Sequence, residues 1–238
     1  MAPELSKWSR MIAVDPGHSH RYVDRFRRLA AAGQDLVGEA RTIHAMVPPA
    51  SHVLDAGCGP GRHGGYLHSL GHRVVGVDVD PVLIQAAEED FPGPTWIVQD
   101  LGELDLSEYG IEEGFDAILS AGNVIAFLHP STRVDVLGRM SSHLKPDGRL
   151  AIGFGAGRGY EFSDFFQDVA AAGLLVENAF STWDLRPFAR DSNFLVAFIS
   201  KDRQGREIPK ASQVFTGDET PDGKRSISLG RSRPTPQP

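Results

Sequence analysis

The chain has 238 residues, 41% of them hydrophobic and 23% charged, the make-up of a globular protein with a sizeable core. No apolar run approaches the ~20 residues of a bilayer-spanning helix. Met1 to Arg10 holds no apolar stretch of the secretory-signal kind, and the single cysteine, Cys58, excludes an intramolecular disulfide, so a cytoplasmic protein is expected. The net charge of −7 is uneven: the last 38 residues carry 8 Lys and Arg against 5 Asp and Glu, which leaves −10 on the first 200. An acidic body argues against a nucleic-acid partner, whose phosphates need a basic footprint.

Met1 to Arg21 mixes Pro, Gly and polar residues without a period and reads as a loose arm. Tyr22 to Ala32 and Leu36 to Met46 repeat apolar residues at i, i+3 and i+4, the spacing of amphipathic helices. Gly33 ends the first, and Pro48-Pro49 stop the second. His52 to Ala56 is a first strand, and Arg62 to Leu70 a helix closed by Gly71. Arg73 to Val79 is a second strand. Asp80 then caps a helix that Pro81 opens and that runs to Asp90. Thr95 to Val98 is a third strand. Gly102 to Gly114 is acidic and poorly periodic, a short helix or loop. Phe115 to Ala121 is a fourth strand, Pro130 to Leu144 an amphipathic helix, Lys145 to Gly148 a turn, and Arg149 to Phe154 a fifth strand. A helix over Phe162 to Ala172 is closed by Gly173. Leu174 to Ser181 and Phe194 to Ser200 follow with no helix between them, so they pair antiparallel. From Gln204 onward Gly, Pro, Ser and charge dominate, which reads as disorder with one short strand near Ser212–Phe215. The expected organisation is an arm with lid helices over 1–47, a binding domain over 48–202 and a disordered tail over 203–238.

Strands alternating with helices predict an α/β fold, a mostly parallel sheet with helices on both faces. Ligands in such sheets bind beyond the carboxyl ends of the strands. Four strand ends carry suitable groups. The first ends in Asp55 and the loop Gly57, Gly59, Gly61, where glycines let a ligand lie against the backbone. The second ends in Asp78-Val79, and Asp78 lies about 20 residues past the loop, where an acid accepts both hydroxyls of a ribose. The third ends in Asp100-Leu101, suited to an exocyclic amine and the face of a base. The fourth ends in Ala121-Gly122-Asn123.

Together these residues resemble the class I S-adenosylmethionine-dependent methyltransferases. The resemblance rests on Val-Leu-Asp-Ala-Gly-Cys-Gly-Pro-Gly (53–61), Val-Val-Gly-Val-Asp (74–78), Val-Gln-Asp-Leu (98–101), Phe-Asp-Ala-Ile-Leu (115–119) and Leu-Lys-Pro-Asp-Gly-Arg-Leu (144–150). It spans roughly His52 to Lys201. It implies a Rossmann-like sheet of seven strands whose last is antiparallel, with S-adenosyl-L-methionine as cofactor. It further implies that Gly57, Gly59 and Gly61 line the methionine moiety and that Asp55 orders that loop. Asp78 and Val79 would hold the ribose and Asp100 and Leu101 flank the adenine. Ala121, Gly122 and Asn123 would lie beside the methionine moiety or the methyl group.

The expected reaction is in-line methyl transfer to a small-molecule acceptor, with no membrane partner. A general base is needed only for an acceptor that starts protonated, and His129, Tyr160 and Asp184 are its candidates. Gly153 to Tyr160 and Thr182 to Phe188 are the expected substrate walls. No metal-ligand spacing is present, and Cys58 reads as a loop filler. Two other functions fit parts of the pattern. One is a non-catalytic binder of S-adenosylmethionine or S-adenosylhomocysteine. The other is an NAD(P)-dependent oxidoreductase, since Gly59-x-Gly61-x-x-Gly64 matches a dinucleotide fingerprint. The oxidoreductase leaves the lead of Asp55 and the motifs at Asp100 and Phe115–Leu119 unexplained.

Overall fold

A computed structural model describes residues 4–202. The tail over 203–238, with the strand expected near Ser212–Phe215, lies outside the described residues. Three helices come first: α1 (Lys7–Val14), α2 (His18–Ala31) and α3 (Gly38–Met46). The alternating core follows: β1 (His52–Ala56), α4 (Arg62–Ser69), β2 (Arg73–Asp78), α5 (Pro81–Asp90), β3 (Thr95–Val98), β4 (Phe115–Ser120), α6 (Val124–Phe127), α7 (Arg133–Ser142) and β5 (Leu144–Gly155). It closes with α8 (Phe162–Ala171), β6 (Leu174–Phe180) and β7 (Phe194–Lys201).

The seven strands form one sheet in the order β3-β2-β1-β4-β5-β7-β6. β7 runs antiparallel to β5 and β6, and the other pairings are parallel. Alternation along each strand gives the sheet two apolar faces. Leu54, Ala56, Val75, Val77 and Ile118 meet α7 and α8 through Val136, Leu137, Met140, Phe165 and Val169. Val53, Val74, Ala117 and Leu119 meet α3 and α4 through Ala40, Ile43 and Leu67. This is the Rossmann-like architecture expected from the alternating pattern. The order reverses at β1 and β4, so the crevice beyond their carboxyl ends is the natural binding place.

Three local departures from the sequence reading have physical causes. The stretch expected as a loose arm contains α1 and the first turn of α2. Ser6 caps α1 by accepting from the Ser9 N–H at 3.0 Å, and the Trp8 indole donates to Asp80 at 2.8 Å, a partner 72 positions away. Pro16 and Gly17 form the turn between these helices. The helix expected over Pro130 to Leu144 opens as a 3₁₀ turn over Pro130–Thr132 before α7 begins, and the short α6 precedes it. The turn residues Lys145 to Gly148 lie inside β5. Phe115 pairs with Leu144 and Ala117 with Arg149, so the residues between bulge out of the ladder.

Trp96 on β3 fixes how closely α4 approaches the sheet. A Cβ at Gly61, Gly64 or Gly76 would overlap its indole, while its Nε1 donates to the Phe91 carbonyl at 3.0 Å. Gly76→Ala is therefore expected to cost about 1–3 kcal/mol by overpacking, read as a lower urea midpoint. Because the two residues touch, the double variant Gly76→Ala/Trp96→Ala is expected to lose less than the single losses summed.

Candidate functional site

The loop after β1 is stitched to β2 before any ligand is considered. The N–H groups of Gly57 and Cys58 both donate to the Val77 carbonyl, at 2.8 and 3.0 Å. Gly59 N–H donates to Asp78 Oδ2 at 2.9 Å, and Asp80 N–H donates to Asp78 Oδ1 at 3.0 Å. Gly57, Gly59 and Gly61 all have positive φ, which a side-chain-bearing residue adopts only with strain. A Cβ at Gly57 would overlap Val124, and one at Gly61 would meet Ala87 and Trp96. At Gly59 the nearest atom to a Cβ would be Tyr22, at 3.9 Å, so there the backbone stays open to the cleft.

That cleft lies beyond the ends of β1 to β4, where ligands of such sheets bind. Of the residues expected at the site, Gly57, Gly59, Asp78, Val79, Asp100, Leu101, Ala121 and Gly122 line it. They arrive from four different strand ends, as the topology requires.

Asp55, Gly61 and Asn123 do not line the cleft. The Asp55 carboxylate points inward and accepts the Gly64 N–H at 3.0 Å, where burial raises its pKa. It ties β1 to the first turn of α4. Gly61 makes the left-handed turn into α4. Asn123 also has positive φ, and its Oδ1 accepts the Gly155 N–H at 2.8 Å, joining the ends of β4 and β5.

The candidate bases fare differently. Tyr160 is buried under Phe154 and Phe165. Its hydroxyl donates to Asp168 at 2.5 Å, and burial with that hydrogen bond pushes the phenol far above its usual range. Tyr160 is a core residue and not a base. Asp184 lies in the β6–β7 connector, at the carboxyl edge but beyond β5 in the strand order, and is not on the cleft wall. Its carboxyl, bonded to Thr182 and paired with Arg186, is held below the usual range. His129 follows Leu128, which lines the cleft. Its Nδ1 accepts the Ser131 N–H at 3.3 Å, and its Nε2 lies 3.5 Å from Glu4.

The segments expected as substrate walls do not line this cleft. Trp183 packs on β5 at Gly153, where a Cβ would meet its ring. Phe188 packs on Phe162 and Phe166, and neither segment lines the cleft. The opposite wall comes instead from Ser6, Trp8 and Tyr22 of the N-terminal helices and from Val124, Phe127 and Leu128 after β4. Arg62 and His63 at the start of α4 also face in. Tyr22 lies on a helix expected in the lid, whereas Phe127 lies outside every element expected from the sequence. Cys58 lines the cleft too, but burial raises its thiol well above the ordinary value, so it stays protonated.

The donor set suits an adenosine-type cofactor. A carboxylate faces the cleft at the end of β2, Leu101 offers an apolar surface, and Gly59 leaves room for close approach.

Comparison with known proteins points the same way. Residues 53–148 match a family model described as a methyltransferase domain. A solved structure described as a TehB-like SAM-dependent methyltransferase from Corynebacterium glutamicum is 50% identical. It superposes with a TM-score of 0.75 over 79% of this chain and 100% of that one. Among curated relatives, a ribosomal protein L11 methyltransferase from Symbiobacterium thermophilum is 38% identical over 120 residues, 50% of this chain and 37% of that protein. A ubiquinone biosynthesis O-methyltransferase from Xanthomonas campestris is 27% identical over 54% of this chain and 58% of its own length. The chain thus spans between about a third and three fifths of these curated relatives.

Burial pushes the Asp78 carboxyl up to about 6, against the pull of its two N–H donors. A raised folded-state pKa adds stability that is fully present below the unfolded value and lost as pH rises through about 6. Ligand binding has the opposite sign, because a protonated carboxyl loses acceptor capacity for hydroxyls. Affinity for S-adenosylhomocysteine, measured calorimetrically, is expected to fall below pH 6 by at most about tenfold per unit. Asp78→Asn is expected to bind weakly and without that pH dependence.

Proposed function

This chain belongs to the S-adenosylmethionine-dependent methyltransferases, and from that premise we propose that it methylates a small molecule held in the cleft between the strand ends and the N-terminal helices. The observation that carries the reading is the roof. Ser6, Trp8 and Tyr22 on one side and Val124, Phe127 and Leu128 on the other confine the space over Gly57, Asp78 and Leu101. A confined, largely apolar chamber suits a small acceptor better than a folded macromolecule. The acidic balance of the first 200 residues adds to the case against RNA.

S-adenosylmethionine supplies an activated methyl group on a sulfonium, open to in-line attack by the acceptor. The chain's own residues orient and enclose. Asp78 would hold the ribose hydroxyls, with Val79 beside it. Asp100 would face the adenine edge with one oxygen, the other already accepting the Gly102 N–H at 2.7 Å. Leu101 would lie against the base. Gly57, Gly59, Ala121 and Gly122 would form the floor near the methionine moiety. The N-terminal helices act as a lid, since excluding water and fixing the approach are the main work in a reaction with a good leaving group. None of the three candidate bases lines the cleft; His129 adjoins it through Leu128, with its Nδ1 on Ser131 and its Nε2 beside Glu4. No helix among the described residues is long and apolar enough to cross a membrane.

The test is transfer of a labelled methyl group from S-adenosylmethionine by the full chain. Label is expected in a dialysable metabolite fraction and absent from protein and RNA fractions. Label in macromolecules alone contradicts the small-molecule reading, and tight donor binding with no transfer to any fraction favours a non-catalytic binder.

A further inference from the structure

The helix α3 is fastened at both ends, and the two ends lie at different edges of the sheet. In its first turn Glu39 lies 3.4 Å from both Arg62 and His63, which face the cleft. Midway, Thr42 donates to the Trp183 carbonyl at 2.6 Å, and Ile43 packs into the apolar cluster with Leu67 of α4. In its last turn His44 reaches His72, the residue before β2, with Nδ1 and Nε2 2.8 Å apart. The rings meet edge to face with centroids 5.1 Å apart. The Met46 carbonyl accepts from Arg149 at 3.2 Å.

The two imidazoles are unlike. His72 is 2% exposed, whereas His44 is open to solvent. A hydrogen bond between them needs an N–H on one ring and a lone pair on the other. One extra proton fits: on the exposed His44 it leaves an N–H donating to a neutral His72. A second does not. On His72 it would set N–H against N–H and bring two like charges to hydrogen-bonding distance, one of them out of water. Burial, and then the His44 charge, hold the His72 pKa below its ordinary value, against the pull of the Ser51 carbonyl and of Asp116 on β4. His72 also borders a groove at the amino edge of the sheet with His52 of β1, His68 of α4, Arg73 of β2, and Glu112 and Glu113 before β4. Arg73 and Glu113 neutralise each other through two hydrogen bonds of 2.7 and 2.8 Å. Burial holds the His52 pKa below its ordinary value as well.

We propose that the His44–His72 pair is an acid-sensitive fastening of α3, broken when the pair takes up its second proton, so that the last turn of the helix comes away from the start of β2. The inference goes beyond the methyl-transfer reading and does not depend on it. α3 is only nine residues long, so loosening at His44 is felt at Glu39 and, through it, at Arg62 and His63 on the cleft wall. The sign follows from the buried ring. An imidazole whose folded-state pKa is depressed contributes stability that is complete above the unfolded value of about 6.5. That stability is lost as pH falls below it, by at most about tenfold in the opening constant per pH unit.

The test is amide hydrogen exchange of the full chain without ligand, read by mass spectrometry at pH 7 and pH 5 and corrected for the intrinsic change in exchange rate. Protection over α3 is expected to fall by roughly 3- to 30-fold relative to protection over α7, which the pair does not touch. In His44→Gln the side-chain amide turns to accept from a protonated His72, and α3 is expected to lose most of that pH dependence. His72→Gln removes the titrating ring and is expected to give the same relative protection at both pH values. Wild-type α3 protection that does not change with pH, or that falls only in step with α7, overturns the inference whether or not a variant folds. A His44→Gln or His72→Gln protein that keeps the wild-type pH dependence also overturns it. Because no ligand is present, the outcome is separate from the fate of the methyl-transfer reading.

Discussion

Asp78 commits both of its carboxylate oxygens to backbone. Oδ2 takes the Gly59 N–H and Oδ1 the Asp80 N–H, so one side chain joins the loop after β1 to the loop after β2. With the two N–H groups that converge on the Val77 carbonyl, this makes the crevice a rigid feature of the sheet edge. Rigidity comes with a condition. The carboxyl is buried enough for its pKa to rise toward 6, so its charge is marginal at mildly acidic pH. A largely buried acid with remaining acceptor capacity is an unfavourable arrangement for folding alone. It makes sense as a site shaped for hydroxyl donors.

The lid is built on the neighbouring residue. Asp80 caps α5 by accepting the Val82 N–H at 2.9 Å. Its other oxygen accepts from the Trp8 indole and the Ser19 hydroxyl. Asp78 and Asp80 thus divide the labour over two positions, one shaping the floor and one mooring α1 and α2. At the other end of the cleft, Arg62 meets Phe26 of α2 and Glu39 of α3. The N-terminal helices are therefore fastened through Asp80, two positions past the cleft residue Asp78, and through Arg62, which lines the cleft. Closing the roof and organising the donor site are parts of one set of contacts.

The sheet, its order of elements and most of the floor were legible in the sequence because their signals are local. Apolar alternation marks strands, Asp80-Pro81 marks a helix start, and glycines mark the loop. What escaped has long-range causes. α1 has eight residues, too few to show a period, and Trp8 finds its partner across 72 positions. Asp55 and Asn123 sit at strand ends as expected, but their side chains turn inward to Gly64 and Gly155. Whether a strand-end side chain faces ligand or backbone depends on loop conformation, which residue type does not encode. Tyr160 and Trp183 looked like cleft residues because aromatics near a strand end suit a binding wall. Here burial against Phe165 and Gly153 claims them for the core.

The position of an adenosine-type ligand is the most direct measure of the site. A crystal structure of the full chain with S-adenosylhomocysteine is expected to show both ribose hydroxyls within hydrogen-bonding distance of Asp78 and the adenine against Leu101, under the roof of Trp8 and Tyr22. A ligand bound away from the carboxyl ends of β1 to β4, or bound there with its ribose remote from Asp78, would contradict it.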